Sequence, residues 1–247
     1  MIPLKDDTPL ERTPVLTFAL IALNILAFGW QIDALALPAV AASGGDVLGY
    51  MNARLNESAL RGGAIPYEIL TLTDPWPRAL VPVPLTIFSS MFLHGGLMHL
   101  GSNMLFLWIF GNNVEDALGR GRFVAFYLAS GVAAALAQTV ASAASGDVYV
   151  PMVGASGAIA GVLAAYMTLF PRARVLSALI IFIFIRLVSV PASFFIGLWF
   201  VLQIVSVFFG GSPGVAVIAH VFGFVAGWLL VRVMGRRTTW RARRVTW

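Results

Sequence analysis

The sequence predicts an all-α polytopic membrane protein in which six helices cross the bilayer. Hydrophobic residues make up 59% of the 247 residues and charged residues only 11%, which excludes an ordinary soluble domain. Apolar runs of roughly 20 residues, the length that spans a hydrocarbon core, recur along the chain. Arginines follow the last of these runs, so the net charge of +5 indicates the flank of a membrane helix and no nucleic-acid partner.

Six of the apolar runs are long enough to be spans, and they are 15–32, 96–113, 123–143, 152–170, 192–209 and 215–234. The first of them has no small-residue cleavage site, so we expect a retained helix there. A seventh run, 176–190, is shorter, carries Arg186 and stops at Pro191.

The distribution of positive charge decides whether the seventh run crosses. With six spans, thirteen cationic residues share the side of the two termini: Lys5, Arg12, Arg120, Arg122, Arg172, Arg174, Arg186, Arg232, Arg236, Arg237, Arg241, Arg243 and Arg244. Only Arg54, Arg61 and Arg78 lie on the other side, which fits the excess of positive charge in cytoplasmic loops. A seventh crossing would put the arginine-rich tail outside. We therefore expect 176–190 to be interfacial or re-entrant, and both termini to be cytoplasmic.

These spans divide the chain into three parts. Residues 1–14 form a cytoplasmic N-terminal segment, 15–234 the membrane domain and 235–247 a basic cytoplasmic tail. Within the membrane domain, 33–93 form a long outer first loop. Its stretch 79–92 is apolar enough that we expect part of it to rest on the outer leaflet. The chain has no cysteine, so it has neither a disulfide nor a cysteine-ligated metal.

Polar side chains occur at one depth of three predicted spans. With six spans, the second, fourth and sixth helices all begin at the outer face, where His99, Asn103, Ser156 and His220 lie. His99 and Asn103 are four residues apart and so share one helix face. Ionisable groups inside membranes are rare and usually functional. Because an unpaired polar group in an apolar medium costs roughly 2–7 kcal/mol, we expect these side chains to pair with one another. They would form either a functional site or a hydrogen-bonded cluster that only stabilises the packing of the helices.

Glycines favour close packing of the fourth and sixth helices. Gly157 and Gly161 form a small-residue stripe on one, and Gly223 and Gly227 form a stripe on the other. Such stripes let two helix backbones approach closely. Because Ser156 precedes the first stripe and His220 lies three residues before the second, packing of the stripes would bring the two side chains within hydrogen-bond reach.

A serine beside a histidine is the arrangement of a nucleophile with its base. Serine needs an adjacent base to react, and His220 is the only candidate near Ser156. No Asp or Glu lies in the predicted spans, so the pair would be a dyad rather than a triad. The backbone N–H of Ser156 would be free at a helix start, and His99 and Asn103 could add side-chain donors to an oxyanion.

Three motifs carry a resemblance to a known family. Residues 154–157 read GASG, like GxSG; residues 94–103 read HGGLMHLGSN, like HxxxxHxxxN; and residues 219–223 read AHVFG, like AHxxG. Because the three motifs occur in this order and on these spans, the chain resembles the rhomboid intramembrane serine proteases over about residues 15–234. The resemblance implies a rhomboid-like bundle of six helices, no cofactor and no metal. It also implies transmembrane protein substrates, surrounded by membrane lipid and cut near the outer face.

The resemblance also implies roles for individual residues. Ser156 would be the nucleophile and His220 the general base. The oxyanion hole would consist of His99, Asn103 and the N–H groups of Ser156 and Ala155. Helix packing at the site would rest on the glycines Gly154, Gly157, Gly161, Gly223 and Gly227. His94 would be structural, at the end of the outer loop.

The sequence departs from the family pattern in two places. Residues 85–88 read LTIF where many members carry a Trp-Arg pair, and Ala160 stands where some members have a tyrosine stacked on the base. What orients His220 is therefore open, and Phe222, Phe224 and Tyr166 are the candidates.

Two other functions fit the same polar residues. One is a catalytically silent rhomboid-like protein that binds membrane proteins. The other is a small transporter that uses His99, Asn103 and His220 as a path. Other membrane-protease chemistries fit the sequence poorly, because the chain has no HExxH motif for a zinc enzyme, and Asp147 falls in an outer turn rather than in a pair of intramembrane aspartates. The high arginine and alanine content with one lysine favours a bacterial cytoplasmic membrane, and the oligomeric state is open.

Overall fold

A computed structural model of the chain describes residues 1–74, 79–181, 184–208 and 216–235. In chain order its elements are β1 (Ile2–Asp6), α1 (Val15–Gln31), α2 (Leu37–Ala42), α3 (Val47–Gly62), α4 (Pro66–Thr71), α5 (Thr86–Ser90), α6 (Leu97–Phe106), α7 (Asn112–Leu118), α8 (Arg120–Ser145), α9 (Ser156–Leu169), β2 (Arg174–Ile181), β3 (Phe184–Pro191), α10 (Ala192–Phe208) and α11 (Val217–Met234). The π-helical turn Leu107–Gly111 joins α6 to α7. The predicted tail beyond Gly235 lies outside the described residues.

Each of the six predicted spans contains a helix, namely α1, α6 with α7, α8, α9, α10 and α11. Among the described residues, α8 and α11 have the length and hydropathy of a membrane-crossing helix, whereas α1, α9 and α10 are apolar but shorter. The fourth helix begins at Ser156, four residues later than the predicted run 152–170, so the serine stands at the helix start.

Helix α9 is the centre of the bundle. Every residue from Gly157 to Tyr166 is buried, and α9 packs against both α8 and α11. The contact with α11 depends on glycine, because a Cβ on Gly223 would collide with the Gly157 carbonyl and a Cβ on Gly227 would collide with Gly161. The predicted stripes therefore meet in the structure, and the two helix backbones touch.

The segment between α9 and α10 corrects the prediction of an all-α fold. Strands β2 and β3 pair as an antiparallel hairpin, and the N-terminal strand β1 pairs with β2 to give a sheet in the order β1-β2-β3. A short apolar run bounded by breakers suits a strand as well as a helix segment, and here the β-branched residues of the run favour the strand. One sheet face packs inward, where Val175 and Ser177 are fully buried. The other face exposes aliphatic side chains, among them Ile185 and Leu187.

Carboxylates hold the N-terminal segment against the helix ends next to the sheet. Glu115 of α7 caps α1, because its carboxylate accepts from the backbone N–H groups of Leu16 and Thr17 at 3.1 and 2.7 Å and from the Thr17 hydroxyl at 2.8 Å. Asp6 of β1 accepts from the Tyr166 hydroxyl at 2.6 Å and from the Asn113 amide at 2.8 Å. The start of α1, helix α7 and the end of α9 therefore share one end of the bundle.

The long segment between α1 and α6 closes over the opposite end. It contains helices α2 to α5, and Asp46 caps the start of α3, because its side chain accepts from the Gly49 N–H. Gln31 at the end of α1 donates to Ser58 at 2.9 Å and accepts from the backbone N–H of His94 at 2.8 Å. This buried glutamine fixes the turn that starts α6.

Candidate active site

Ser156 is the first residue of α9 and follows a turn that only glycine adopts easily. Gly154 has φ of +125°, in the region that disfavours side chains, and its N–H donates to the Ser90 carbonyl at 2.8 Å. Ala155 is the N-cap, and its carbonyl accepts from Ile159. The first N–H groups of an α-helix have no partner within the helix, so the backbone around Ser156 can donate to a ligand.

His220 in the first turn of α11 contacts the serine. Its Nε2 lies 2.7 Å from Ser156 Oγ, a hydrogen-bond distance. The contact follows from the close packing of the glycine stripes, since α9 and α11 touch at Gly157 and Gly223, one residue beyond the serine and three beyond the histidine.

His99 lies on the other side of the turn at Gly154. A Cβ on Gly154 would lie 2.7 Å from His99 Nε2 and 3.6 Å from Ser156 Oγ, so the two side chains flank the same small volume. The Gly95 N–H donates to His99 Nδ1 at 3.3 Å. Since Nδ1 accepts, neutral His99 carries its proton on Nε2, the nitrogen that faces the serine turn.

Asn103 is buried one turn further along α6. Its Nδ2 donates to the His99 carbonyl at 3.0 Å, and its side chain lines the same cavity as Ser156. An amide nitrogen carries two protons, so this bond uses one of them. The structure thus brings together the residues of all three motifs.

Two residues of α10 that the sequence analysis missed also contact His220. Gln203 Oε1 lies 2.8 Å from His220 Nδ1, and the Trp199 ring lies 6.0 Å from the imidazole, centroid to centroid. They are four residues apart, so both lie on one face of α10. The sequence feature that could have indicated Gln203 is its polar side chain within an otherwise apolar predicted span.

Of the three residues considered from sequence to orient His220, two are engaged elsewhere and the third is exposed. Tyr166 donates to Asp6 at the far end of α9, and Phe224 stacks on Phe200 with ring centroids 4.1 Å apart. The Phe222 side chain is 52% exposed and makes no ring contact with His220 among those found in the described residues.

His94 has a structural environment. Its side chain is fully buried and packs edge-on against His99 with ring centroids 5.1 Å apart. Burial, with a smaller contribution from His99, lowers the pKa of His94 to about 4. His94 is therefore neutral at pH 7 and supports the His99 ring by packing rather than by charge.

A cavity of about 660 Å³ opens in front of the serine and histidine. Its lining includes His99, Asn103 and Trp199, and α8 contributes a polar wall with Gln138. A second recess of about 40 Å³ lies behind the Ser156 turn, lined mainly by small and apolar residues such as Met91 and Gly131. Within the described part of the chain, no group of three His, Asp or Glu residues is arranged to hold a metal ion.

Sequence comparisons agree with this geometry. A family model of the Rhomboid domain matches residues 83–237, which is more than half of the chain and contains all three motifs. The chain belongs to the rhomboid family. Rhomboid proteins are integral membrane proteins, and the family includes membrane-embedded serine proteases.

Three relatives show how far the likeness extends. The chain is 44% identical over 85 residues to the mitochondrial presenilin-associated rhomboid-like protein of Mus musculus, covering 34% of this chain and 22% of that protein. It is 39% identical over 93 residues to the mitochondrial rhomboid protein 1 of Saccharomyces cerevisiae, covering 37% and 27%. It is 40% identical over 92 residues to the rhomboid protease GluP of Bacillus subtilis, covering 37% and 15%.

The matched stretches span about a quarter or less of each relative's own length. Two of the three relatives are mitochondrial and one is bacterial. The comparisons therefore support a rhomboid membrane protein without singling out the bacterial cytoplasmic membrane favoured by composition.

Proposed function

We propose that the chain is an intramembrane serine endopeptidase that cuts transmembrane segments of other proteins. The observation that carries the proposal is the 2.7 Å contact between Ser156 Oγ and His220 Nε2 at the wall of a 660 Å³ cavity. A hydroxyl in contact with a neutral imidazole is an activated nucleophile, and the cavity gives a peptide access to it.

Acylation uses the groups around Ser156. Ser156 Oγ attacks the scissile carbonyl carbon while its proton passes to His220 Nε2. The carbonyl oxygen becomes an oxyanion, and the N–H groups at the start of α9, His99 Nε2–H and the Asn103 amide are the donors that would stabilise it. The scissile C–N bond then breaks, and His220 returns the proton to the leaving amine.

Deacylation repeats these steps with water. Water attacks the acyl carbon as His220 takes one of its protons, and the bond from the acyl carbon to Ser156 Oγ then breaks. His220 returns its proton to Oγ, and the carboxylic product leaves. The polar wall of α8 would keep water near the serine.

The substrate proposal follows from the recess behind the serine. About 40 Å³ holds roughly three water molecules, so it suits a small side chain on the residue before the cut. A substrate helix that unwinds easily there would give the nucleophile access to its backbone.

The topology proposal has six spans with both termini in the cytoplasm and Ser156 near the outer face. It is supported because α6, α9 and α11 begin at one end of the bundle and the N-terminal strand lies at the other. The exposed aliphatic face of the hairpin would then contact lipid at the cytoplasmic interface, with Arg174 and Arg186 near the headgroups.

Single cysteines test the topology, because the chain has none of its own. In sealed vesicles, Lys5→Cys and Trp247→Cys should react with a membrane-impermeant maleimide from the same side, and Asp147→Cys from the opposite side. Labelling of positions 5 and 247 from opposite sides would contradict six spans.

Cleavage of a model transmembrane substrate in detergent and in liposomes tests the activity. Wild type should cut it, and both Ser156→Ala and His220→Ala should be at least about 10⁴-fold slower. Ser102→Ala is the matched control, because Ser102 lines the same cavity and should keep wild-type activity.

The same assay separates the competing functions. Equal cleavage by wild type and Ser156→Ala would exclude the serine mechanism. Retained substrate binding without cleavage by wild type would favour a catalytically silent binding protein.

A further inference from the structure

The imidazole of His220 has hydrogen-bond partners on both nitrogens, and they come from two different helices. Nε2 contacts Ser156 of α9 at 2.7 Å, and Nδ1 contacts Gln203 Oε1 of α10 at 2.8 Å. The chain of contacts from Ser156 through His220 to Gln203 therefore connects α9, α11 and α10. The sequence predicted only the first of these contacts.

The identity of the Gln203 atom determines the tautomer of His220. An amide oxygen only accepts hydrogen bonds, so Nδ1 must carry a proton to bond with it. Neutral imidazole then has its lone pair on Nε2, the nitrogen that faces Ser156 Oγ. This is the tautomer that can accept the serine proton.

Packing fixes the ring in the same orientation. Trp199 lies one turn before Gln203 on the same face of α10, and its ring contacts the imidazole. Ala219, next to the histidine, donates its N–H to Gln138 of α8 at 3.2 Å, which fixes the backbone of the first turn of α11. The His220 side chain is thus held by one apolar and one polar contact from α10.

We propose that Gln203 is a positioning residue that orients His220 and selects its productive tautomer, in the role that a carboxylate has in a Ser-His-Asp triad. The inference rests on the proposed protease function. It explains how the site works with Ala160 where some family members have a tyrosine, because α10 supplies the support instead. A neutral amide stabilises the imidazolium less than a carboxylate does, so the effect of losing it is smaller than in a full triad.

Two substitutions of Gln203 test the role by moving the pH profile in opposite directions. Gln203→Met keeps the side-chain length and removes the acceptor, so kcat should fall on the order of 10- to 100-fold with KM within about twofold. The acidic limb of kcat/KM should move to lower pH, because the protonated ring loses a hydrogen-bond acceptor. Gln203→Glu keeps an acceptor and adds charge, so it should restore most of the rate and move the acidic limb about one unit to higher pH.

Gln138→Met is the matched control. Gln138 lines the same cavity and bonds to the backbone beside His220, so its loss can affect packing but not the tautomer. Its acidic limb should coincide with that of wild type. A merely structural role for Gln203 predicts that Gln203→Met keeps the wild-type limb, as Gln138→Met does, and that result would overturn the inference.

A measurement on the imidazole remains decisive if a variant is too unstable for kinetics. The chain has only three histidines, so ¹⁵N spectra of histidine-labelled wild-type protein resolve each ring. His220 should carry its proton on Nδ1, and a proton on Nε2 would overturn the inference.

Wild type that cuts while Ser156→Ala does not, together with an unchanged Gln203→Met, refutes the role of Gln203 alone. Wild type that neither cuts nor reacts at Ser156 refutes the protease function and this inference with it.

Discussion

The two ends of the bundle bury similar polar groups but use them differently. At the end next to the sheet, which we call the sheet end, Glu115 accepts three hydrogen bonds and Asp6 accepts two. At the end where α6, α9 and α11 begin, the site end, the polar side chains line a 660 Å³ cavity. The carboxylates at the sheet end accept hydrogen bonds from other parts of the fold and so hold its segments together, whereas donors and acceptors that face a cavity are available to a substrate.

The comparison predicts that substitutions at the site end change rate and those at the sheet end change stability. The buried helix α9 connects the two ends of the bundle, because Ser156 stands at one end of this helix and Tyr166 bonds to Asp6 near the other. Four substitutions test the contrast.

The largest effect is expected for His220→Ala. Removal of the base should slow cleavage at least about 10⁴-fold, because Ser156 then has no proton acceptor. The free energy of unfolding should change by less than about 2 kcal/mol, since the side chain partly faces the cavity. Both are measured in one detergent preparation by substrate cleavage and denaturant titration. A loss of activity that tracks a loss of folded protein would contradict a role of His220 in rate alone.

His99→Ala should have the next largest effect, also on rate. Loss of one oxyanion donor typically costs about 10²- to 10³-fold in kcat. Steady-state kinetics should show the loss in kcat rather than in KM, because the donor acts on charge that develops only in the transition state. His94→Ala, which removes a buried ring behind His99, is the comparison. His94→Ala should lose less rate than His99→Ala, and a kcat of His99→Ala within about twofold of wild type would contradict the donor role of His99.

Glu115→Ala should mainly destabilise the protein. It leaves the N–H groups of Leu16 and Thr17 and the Thr17 hydroxyl without their acceptor, at a cost of about 2–3 kcal/mol. Denaturant titration checks the stability. The rate per folded molecule should equal that of wild type when the folded molecules are counted by their reaction with a phosphonate. Glu115→Gln keeps one acceptor oxygen and should lose less stability. A lower rate per folded molecule would show that the sheet end acts on the chemistry.

Asp6→Asn should have the smallest effect, one that depends on pH. Burial raises the pKa of Asp6 to about 6, above its ordinary value of 3.8, despite the hydrogen bond from Tyr166. The folded state therefore holds its proton more tightly than the unfolded state, so stability falls as pH rises from about 4 to about 6. Asp6→Asn should lack this fall and be about 1 kcal/mol more stable than wild type at pH 7. The unfolding temperatures of wild type and Asp6→Asn at pH 4 and pH 7 measure the difference. An equal change of both temperatures between the two pH values would contradict the prediction.

The sequence predicted the site end better than the sheet end. The contact of Ser156 with His220 follows from small-residue stripes, which are readable because only glycine permits such close backbones. The hairpin was missed because a short apolar run has no periodicity that distinguishes a strand from a buried helix segment. Its pairing with β1 joins residues about 170 positions apart, a relation that no local pattern contains.

Gln203 was missed for a different reason. One polar residue in an apolar helix shows that a partner exists but not which one, since that depends on the rotation of α10 against α11. The three aromatic candidates were chosen by proximity in sequence or by analogy, and two of them, Tyr166 and Phe224, pack elsewhere.

Covalent labelling of Ser156 is the sharpest test of a serine nucleophile in this protein. A fluorophosphonate should react with wild-type protein in detergent, and peptide mapping should find the adduct on Ser156 alone. Ser156→Ala and His220→Ala should remain unlabelled under the same conditions, while Ser102→Ala is labelled like wild type. Absence of an adduct on wild-type protein, or equal labelling of wild type and His220→Ala, would contradict a serine nucleophile activated by His220.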